Sequence, residues 1–162
     1  MDHVEQLARR LMLEFGLAAD VWDFRWSRSC RKFGQCVYPW IRLGTGLVKG
    51  RIELSKPFCE VNAAEDIEDT IRHEIAHALA GPHTAHGPEW LKACKLTGCR
   101  PEACGFGKTI VPGRWQATCP HCHARHHRFK KPDEKMDYSC HTCGPKLGRV
   151  TWQLRANLLS KV

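Results

Sequence analysis

The sequence predicts an α+β domain followed by a small module held together by metal rather than by a large apolar core. Three observations carry this. Residues 1 to 112 mix short runs of period two with longer runs of period three to four, the signatures of strands and helices in one domain. The last third contains two C-x2-C pairs, drawn from ten cysteines. Charge is also split: residues 1 to 112 hold 15 Lys and Arg against 14 Asp and Glu, while residues 113 to 162 hold 10 against 3, so nearly all of the net +8 lies in the second part. The boundary falls in the Pro- and Gly-rich stretch "RPEACGFGKTIVPG", near Pro112. The expected organisation is therefore a domain over 1–112, a basic module over 113–155 and a tail over 156–162.

Each element of the first domain follows from local pattern. Val4, Leu7, Ala8, Leu11 and Phe15 recur at helical spacing, and Gly16 follows as a stop. "VWDFRWSRS" alternates Trp22, Phe24 and Trp26 with polar residues, a half-buried strand. "CRKFGQCVYP" turns around Gly34 into a second strand ending before Pro39. After a turn rich in glycine (Gly44, Gly46, Gly50), "RIELS" is a third. The three are expected to form an antiparallel sheet, with Trp22, Trp26 and Trp40 in the core. Asn62 followed by Glu65 reads as a capping box opening a helix to about Ala80, whose apolar stripe is Ile67, Ile71, Ile75 and Ala78. Pro88 opens one more helix, "PEWLKACKLTG", and Gly98 closes it.

The chain has 43% hydrophobic and 26% charged residues and a mean hydropathy of -0.43, a globular balance. No apolar run approaches the roughly 18 residues of a membrane span, and the first residues do not read as a secretory signal. The expectation is an intracellular monomer without membrane contact, cytoplasmic and nucleoid-associated if bacterial or phage, as the short tail suggests. In a reducing compartment, the cysteines act as metal ligands or buried thiols. Cys30, Cys36, Cys59, Cys94, Cys99 and Cys104 are assigned to the second class, since they contain no C-x2-C pair.

Four of the ten histidines lie in "IRHEIAHALAGPHTAHGPEW". His73-Glu74-Ile75-Ala76-His77 is an H-E-x-x-H pattern on the long helix, away from its apolar stripe. Residues four apart stack on one side, so both imidazoles reach one zinc, and Glu74 lies close enough to take a proton from the ion's water. A catalytic zinc requires a third protein ligand. His83 has the offset of H-E-x-x-H-x-x-G-x-x-H, but Ala80 stands where that pattern has glycine. His86 opens "HGPEW", where Gly87 and Pro88 permit a reversal back toward the metal. Both stand as candidates.

"HEIAHAL" with "HGPEW" resembles the SprT-like zinc metalloproteases, which include bacterial SprT proteins and the eukaryotic DNA-protein crosslink protease Spartan. "RIELSKPF" is similar to the strand that precedes the active-site helix there, and the resemblance runs from about Leu7 through the C-terminal cysteines. It implies a small zincin-like fold, His73, His77 and His86 as ligands of a catalytic zinc, and Glu74 as the catalytic base. The expected reaction is peptide hydrolysis in which Glu74 takes a proton from water and passes it to the leaving amine. The sheet edge, with "RIELS" as the candidate, would hold an extended substrate by main-chain pairing. His83 and Tyr38 are candidates for stabilising the oxyanion.

Cys119-Pro-His-Cys122 and Cys140-His-Thr-Cys143 form C-x2-C-x17-C-x2-C, the spacing of a zinc ribbon with a structural four-thiolate site. His121, His123 and His141 are neighbours that four cysteines make unnecessary as ligands. Between the knuckles, "HARHHRFKKPDEKMDY" supplies Arg125, Arg128, Lys130 and Lys131 for phosphates and Phe129 for a base. The sequence thus implies two Zn2+ ions, a protein substrate and a DNA partner, single- or double-stranded. By resemblance, the substrates are proteins on or crosslinked to DNA. Two other readings remain: a nucleic-acid-binding regulator without proteolysis, and a general intracellular zinc peptidase.

Overall fold

A computed structural model describes residues 1–42, 46–102 and 107–155. The chain divides into two compact units, Met1–Val111 and Pro112–Val162. Cys104 and the tail 156–162 lie outside the described residues, as does Gly44 of the expected turn.

The first unit opens with α1 (Asp2–Glu14), which buries Ala8, Leu11 and Met12; Gly16 then takes a left-handed turn at φ 79. Strands β1 (Trp22–Ser27), β2 (Gly34–Val37), β3 (Trp40–Arg42), β4 (Gly46–Val48) and β5 (Gly50–Ser55) follow. The main sheet has the order β1-β5-β2 and is mixed, not antiparallel as expected: β1 runs parallel to β5 from Trp22 opposite Gly50 to Ser27 opposite Ser55, whereas β2 is antiparallel to β5. The reason is burial. Ile52 and Leu54 of β5 are both fully buried, so this strand takes the centre, and the intervening chain crosses from β1 to the far edge. Both edges of "RIELS" are consequently hydrogen-bonded, which removes it as a substrate-binding edge; among the described residues β2 is an edge strand that pairs with β5 alone and lies beside α3.

Strands β3 and β4 pair as a separate hairpin where only a turn was expected. Trp40, expected in the core, lies on this hairpin beyond Pro39 and is 52% exposed. Trp22 and Trp26 do pack against the core, and the Trp26 indole donates to Glu5 at 3.0 Å.

A short helix α2 (Lys56–Cys59), capped by the Ser55 hydroxyl, leads into α3 (Ala64–Ala80). The expected capping box does not form. The α3 N-cap is Ala63, and Asn62 instead brackets Thr109, accepting from its N–H at 2.7 Å and donating to its carbonyl at 3.0 Å. Helix α4 (Pro88–Thr97) starts after Gly87 and ends at Gly98, whose φ of 73 suits glycine. One apolar cluster joins α1, β1, β5 and α3; a second joins Ala76 of α3 to Trp90, Ala93 and Cys94 of α4 and Cys99. Of the other thiols, Cys94 and Cys99 are buried, while Cys30, Cys36 and Cys59 are half-buried.

Asp69 on α3 clamps the chain that follows α4. It accepts from the Arg100 N–H at 2.8 Å and pairs with the Arg100 guanidinium at 3.1 Å and the almost fully buried Lys108 ammonium at 2.8 Å. Burial raises the Asp69 pKa, but the Arg100 N–H, Lys108 and the Arg100 side chain outweigh it and hold the carboxyl below its usual 3.8. A depressed carboxyl pKa stabilises the fold above the unfolded value, and that contribution disappears as pH falls through the folded one. Asp69→Asn should cost about 2–3 kcal/mol at pH 7, because it strands the buried Lys108 charge. In urea unfolding, the gap between variant and wild type should close as pH falls below about 4.

The second unit contains β6 (Trp115–Thr118), β7 (Arg125–Arg128), a one-turn helix α5 (Gly144–Leu147) and β8 (Gln153–Leu154), with sheet order β7-β6-β8. Its buried core is Ala117, Cys119, Cys140 and Val150. Among the described residues of either unit, no helix is long and apolar enough to cross a membrane.

Candidate metal centres

Helix α3 presents His73 and His77 one turn apart, ring centroids 5.0 Å from each other. At Gly81 (φ 90) the chain leaves the helix, and the reversal passes through left-handed backbone at His83 (φ 69) and Ala85 (φ 46). Thr84 stabilises the turn, its hydroxyl donating to the Gly81 carbonyl and its carbonyl accepting from the Gly87 N–H. This returns His86 to α3, with its Nε2 3.2 Å from His77 Nε2 and 3.3 Å from His73 Nε2. His83 is not in the convergent set; it lines the adjoining cleft.

The spacing suits a tetrahedral ion. Metal–nitrogen bonds of about 2.0–2.1 Å place the ligand nitrogens about 3.3–3.4 Å apart. Hydrogen bonding alone does not account for the triangle, since a neutral ring nitrogen is a donor or an acceptor and His86 Nε2 faces two partners. Burial, followed by the neighbouring imidazoles, pushes the pKa values of His73 and His77 down to about 4, so both rings are neutral near pH 7, as ligands must be.

Trp90 forms the floor. It is fully buried, and its ring centroid lies 4.9, 5.6 and 4.5 Å from those of His73, His77 and His86. Tyr38 fixes the end of α3, its hydroxyl lying 2.6 Å from the His77 carbonyl and 2.8 Å from that of Gly81. With its proton committed there, Tyr38 is a brace for the histidine helix rather than an oxyanion donor.

Glu74 is buried between α3 and β2. It accepts from the Cys36 N–H, and it lies so close to Gly34 that a Cβ there would come within 2.7 Å of its Cγ and 2.8 Å of its Oε1. Burial pushes its pKa up to about 7, against the Cys36 hydrogen bond and the charges of Lys108 and Lys32. A carboxyl poised there can both take up and release a proton near neutrality. The cleft beyond it has a volume of about 450 Å³, with Lys32, Gln35, Cys36 and Tyr38 on one wall and the three imidazoles on the other. Of these neighbours, Gly34 was read only as a turn and Cys36 only as a buried thiol, and Trp90 and Lys108 had no place at the site from sequence. A glycine inside a strand, as at Gly34, is the one local signal of close approach.

In the second unit, the Sγ atoms of Cys119, Cys122, Cys140 and Cys143 lie within 4.8 Å of one another. Cys122 Sγ is 3.7 Å from Cys140 Sγ, close to the roughly 3.8 Å edge of a tetrahedron with 2.3 Å zinc–sulfur bonds. The Cys122 N–H foremost lowers the Cys119 pKa to about 7, and that of Cys143 lowers Cys140. Cys143, hydrogen-bonded to Cys122 and held by burial and by Cys119, is pushed up to about 12. Four Sγ atoms this close together could hold a metal ion as thiolates, and the group is consistent with zinc. The residue after each knuckle is left-handed: His123 at φ 59 and Gly144 at φ 64. His121 lies outside the four, with Nδ1 3.5 Å from Cys143 Sγ.

The basic residues are not gathered on one face. Strand alternation separates Arg125 from Arg128. Arg128 stacks over Tyr138 at 4.7 Å and Trp152 at 5.7 Å, Phe129 lies against His127, and Lys131 pairs with Glu134 at 2.6 Å. Arg125 and Lys130 are exposed.

No curated protein and no solved structure matches the chain. A family model described as SprT-like matches residues 4–107, a span that takes in α1, the main sheet, α3, the His86 turn and α4. The chain belongs to the SprT-like family.

Proposed function

We propose that the chain is a zinc metalloprotease with a zincin-like catalytic unit and a zinc ribbon, acting on proteins that are bound or crosslinked to DNA. The observation that carries the proteolytic part is the position of Glu74: a buried carboxyl held by Gly34 and Cys36 next to three convergent imidazoles, at the wall of a cleft bordered by the edge strand β2. His73, His77 and His86 would hold one zinc, and the four cysteines a second, structural one. When bound, the first ion supplies Lewis acidity to a substrate carbonyl and lowers the pKa of water.

The remaining work falls to side chains and backbone. An extended substrate strand pairs with the outward backbone groups of β2 other than the Cys36 N–H, which Glu74 takes, and this sets its carbonyl between the imidazoles and Glu74. Glu74 takes the proton of the attacking water and delivers it to the leaving nitrogen. With Tyr38 committed to helix carbonyls, His83 is the one of the two sequence candidates left in the cleft to face the developing oxyanion. The DNA reading rests on the basic second unit, in which Arg125, Lys130 and the stacked Arg128 are available to phosphates.

The decisive test measures zinc and cleavage together. The full chain should contain two zincs and cleave a DNA-bound protein, faster with DNA present, and a chelator should abolish cleavage. DNA binding without cleavage under any condition would instead indicate a binding protein. Cleavage indifferent to DNA, in a protein that does not bind it, would indicate a general peptidase. Gly34→Ala is expected to reduce kcat/KM about a hundredfold, because displacing the base by about 1 Å has that effect. Zinc content should be unchanged, since the three atoms nearest a Cβ at Gly34 belong to Glu74 and the Glu53 backbone rather than to an imidazole.

A further inference from the structure

Three cavities, of about 170, 240 and 450 Å³, meet around the start of β2, and Lys32 lines all three. The smallest lies at the corner between β1 and β2, and shares Lys32, Gly34 and Gln35 with the main cleft. Its other walls include Ser27, Ser29 and Ser55. Ser27 Oγ accepts from the Ser29 N–H, and Ser29 Oγ from the N–H groups of Arg31 and Lys32, so each hydroxyl meets the backbone as an acceptor and keeps its own proton to donate. The carboxylate in this wall, Glu53, is ion-paired with Arg51. Lys32 Nζ is held over the corner by Gln35 Oε1 at 2.9 Å. The corner therefore presents one ammonium and two hydroxyl donors in a space the size of a side chain. Lys32 precedes Gly34, which abuts Glu74, by two residues, about 7 Å of extended chain.

We propose that this corner is a specificity subsite that accepts a carboxylate of the substrate within about two residues of the scissile bond, with Lys32 as the selecting residue. A single lysine balances the single charge of an aspartate, a glutamate or a chain-terminal carboxylate. The inference rests on the reading of the cleft as the peptide-binding site of a protease.

The test uses the zinc-loaded full chain and a peptide series identical except for Glu, Gln, Ala or Lys at successive positions, each with a free or amidated C-terminus. The Glu peptide should be favoured over the Lys peptide about fivefold or more at one position, the scale of one partly exposed ion pair, and Lys32→Glu should reverse the order. Loss of the preference on amidation alone would identify the chain end as the source of the carboxylate. A second readout is anisotropy of the same labelled peptides on zinc-loaded Glu74→Gln protein, which reports affinity without turnover. Cleavage of all peptides alike, with Lys32→Glu unchanged, overturns the subsite and leaves the protease standing. Charge-selective binding that Lys32→Glu reverses, with no cleavage by wild type, keeps the subsite and overturns the protease.

Discussion

Glu74→Gln is expected to lower proteolysis by about a thousandfold or more, within the range assigned to a positioned general acid–base, while the protein keeps its full zinc content. Glutamine has nearly the same volume, so it can still fill the space beside Gly34 and still accept from the Cys36 N–H. It cannot take a proton at neutral pH. The imidazoles touch Trp90 and one another, so their convergence does not depend on the carboxyl. Stability supplies a second sign. Burial raises the Glu74 pKa from 4.5 to about 7, and a raised carboxyl pKa means that ionisation opposes folding: stability is complete below the unfolded value and falls as pH rises through the folded one. In zinc-free protein, Glu74→Gln should therefore be more stable than wild type at pH 8, by about 1–3 kcal/mol, with the advantage vanishing near pH 4. A variant that is inactive, zinc-loaded and thermally stronger would be hard to reconcile with a structural role for Glu74. Retained activity, or loss of zinc along with activity, would refute the assignment.

The convergence of three histidines and of four cysteines was legible because its information is local. The i, i+4 spacing sets two imidazoles on one helical face, Gly87 and Pro88 mark a reversal, and paired C-x2-C knuckles imply a tetrahedron regardless of what surrounds them. Spacing alone left His83 and His86 open; the left-handed backbone at Ala85 decides between them by turning the later ring inward. Sheet order was not legible. A period of two reveals which face a strand buries but not which neighbour it pairs with, so β5 was read as a third antiparallel strand instead of the centre of a mixed sheet. Long-range polar contacts escaped for the same reason. Asn62 has the residue type and offset of a cap, yet bonding to Thr109, 47 residues away, takes its side chain, and no local pattern encodes such a partner. Trp40 shows the converse failure: alternation suggested burial, but a two-stranded hairpin has no second layer to bury it. The Glu74 pocket lies between these cases, since the glutamate stood out in the sequence and the strand that seats it did not.

The second unit should depend on its metal in a way the first does not. Its buried core consists of Ala117, Cys119, Cys140 and Val150, so two of the four buried side chains belong to the four-cysteine group proposed to hold zinc. A Cys140→Ala substitution deletes a buried sulfur that lies 3.7 Å from Cys122 Sγ and would remove one of the four proposed zinc ligands. Structural zinc contributes about 10–16 kcal/mol of apparent binding free energy to such modules, far more than two small apolar side chains can supply. The expected result is loss of one of two zincs and collapse of amide protection across β6, β7 and β8 in hydrogen exchange. Protection should persist in α1, β5 and α3, whose contacts through Leu11, Ile52, Leu54, Ile71 and Ile75 involve no ligand. Removing both zincs with a chelator should give the same division, unfolding residues 115–154 and leaving the first unit folded with its imidazoles empty. If strands β6 to β8 kept their protection without zinc, the four cysteines would be packing residues. If the first unit unfolded with the second, the two cores would not be energetically separate.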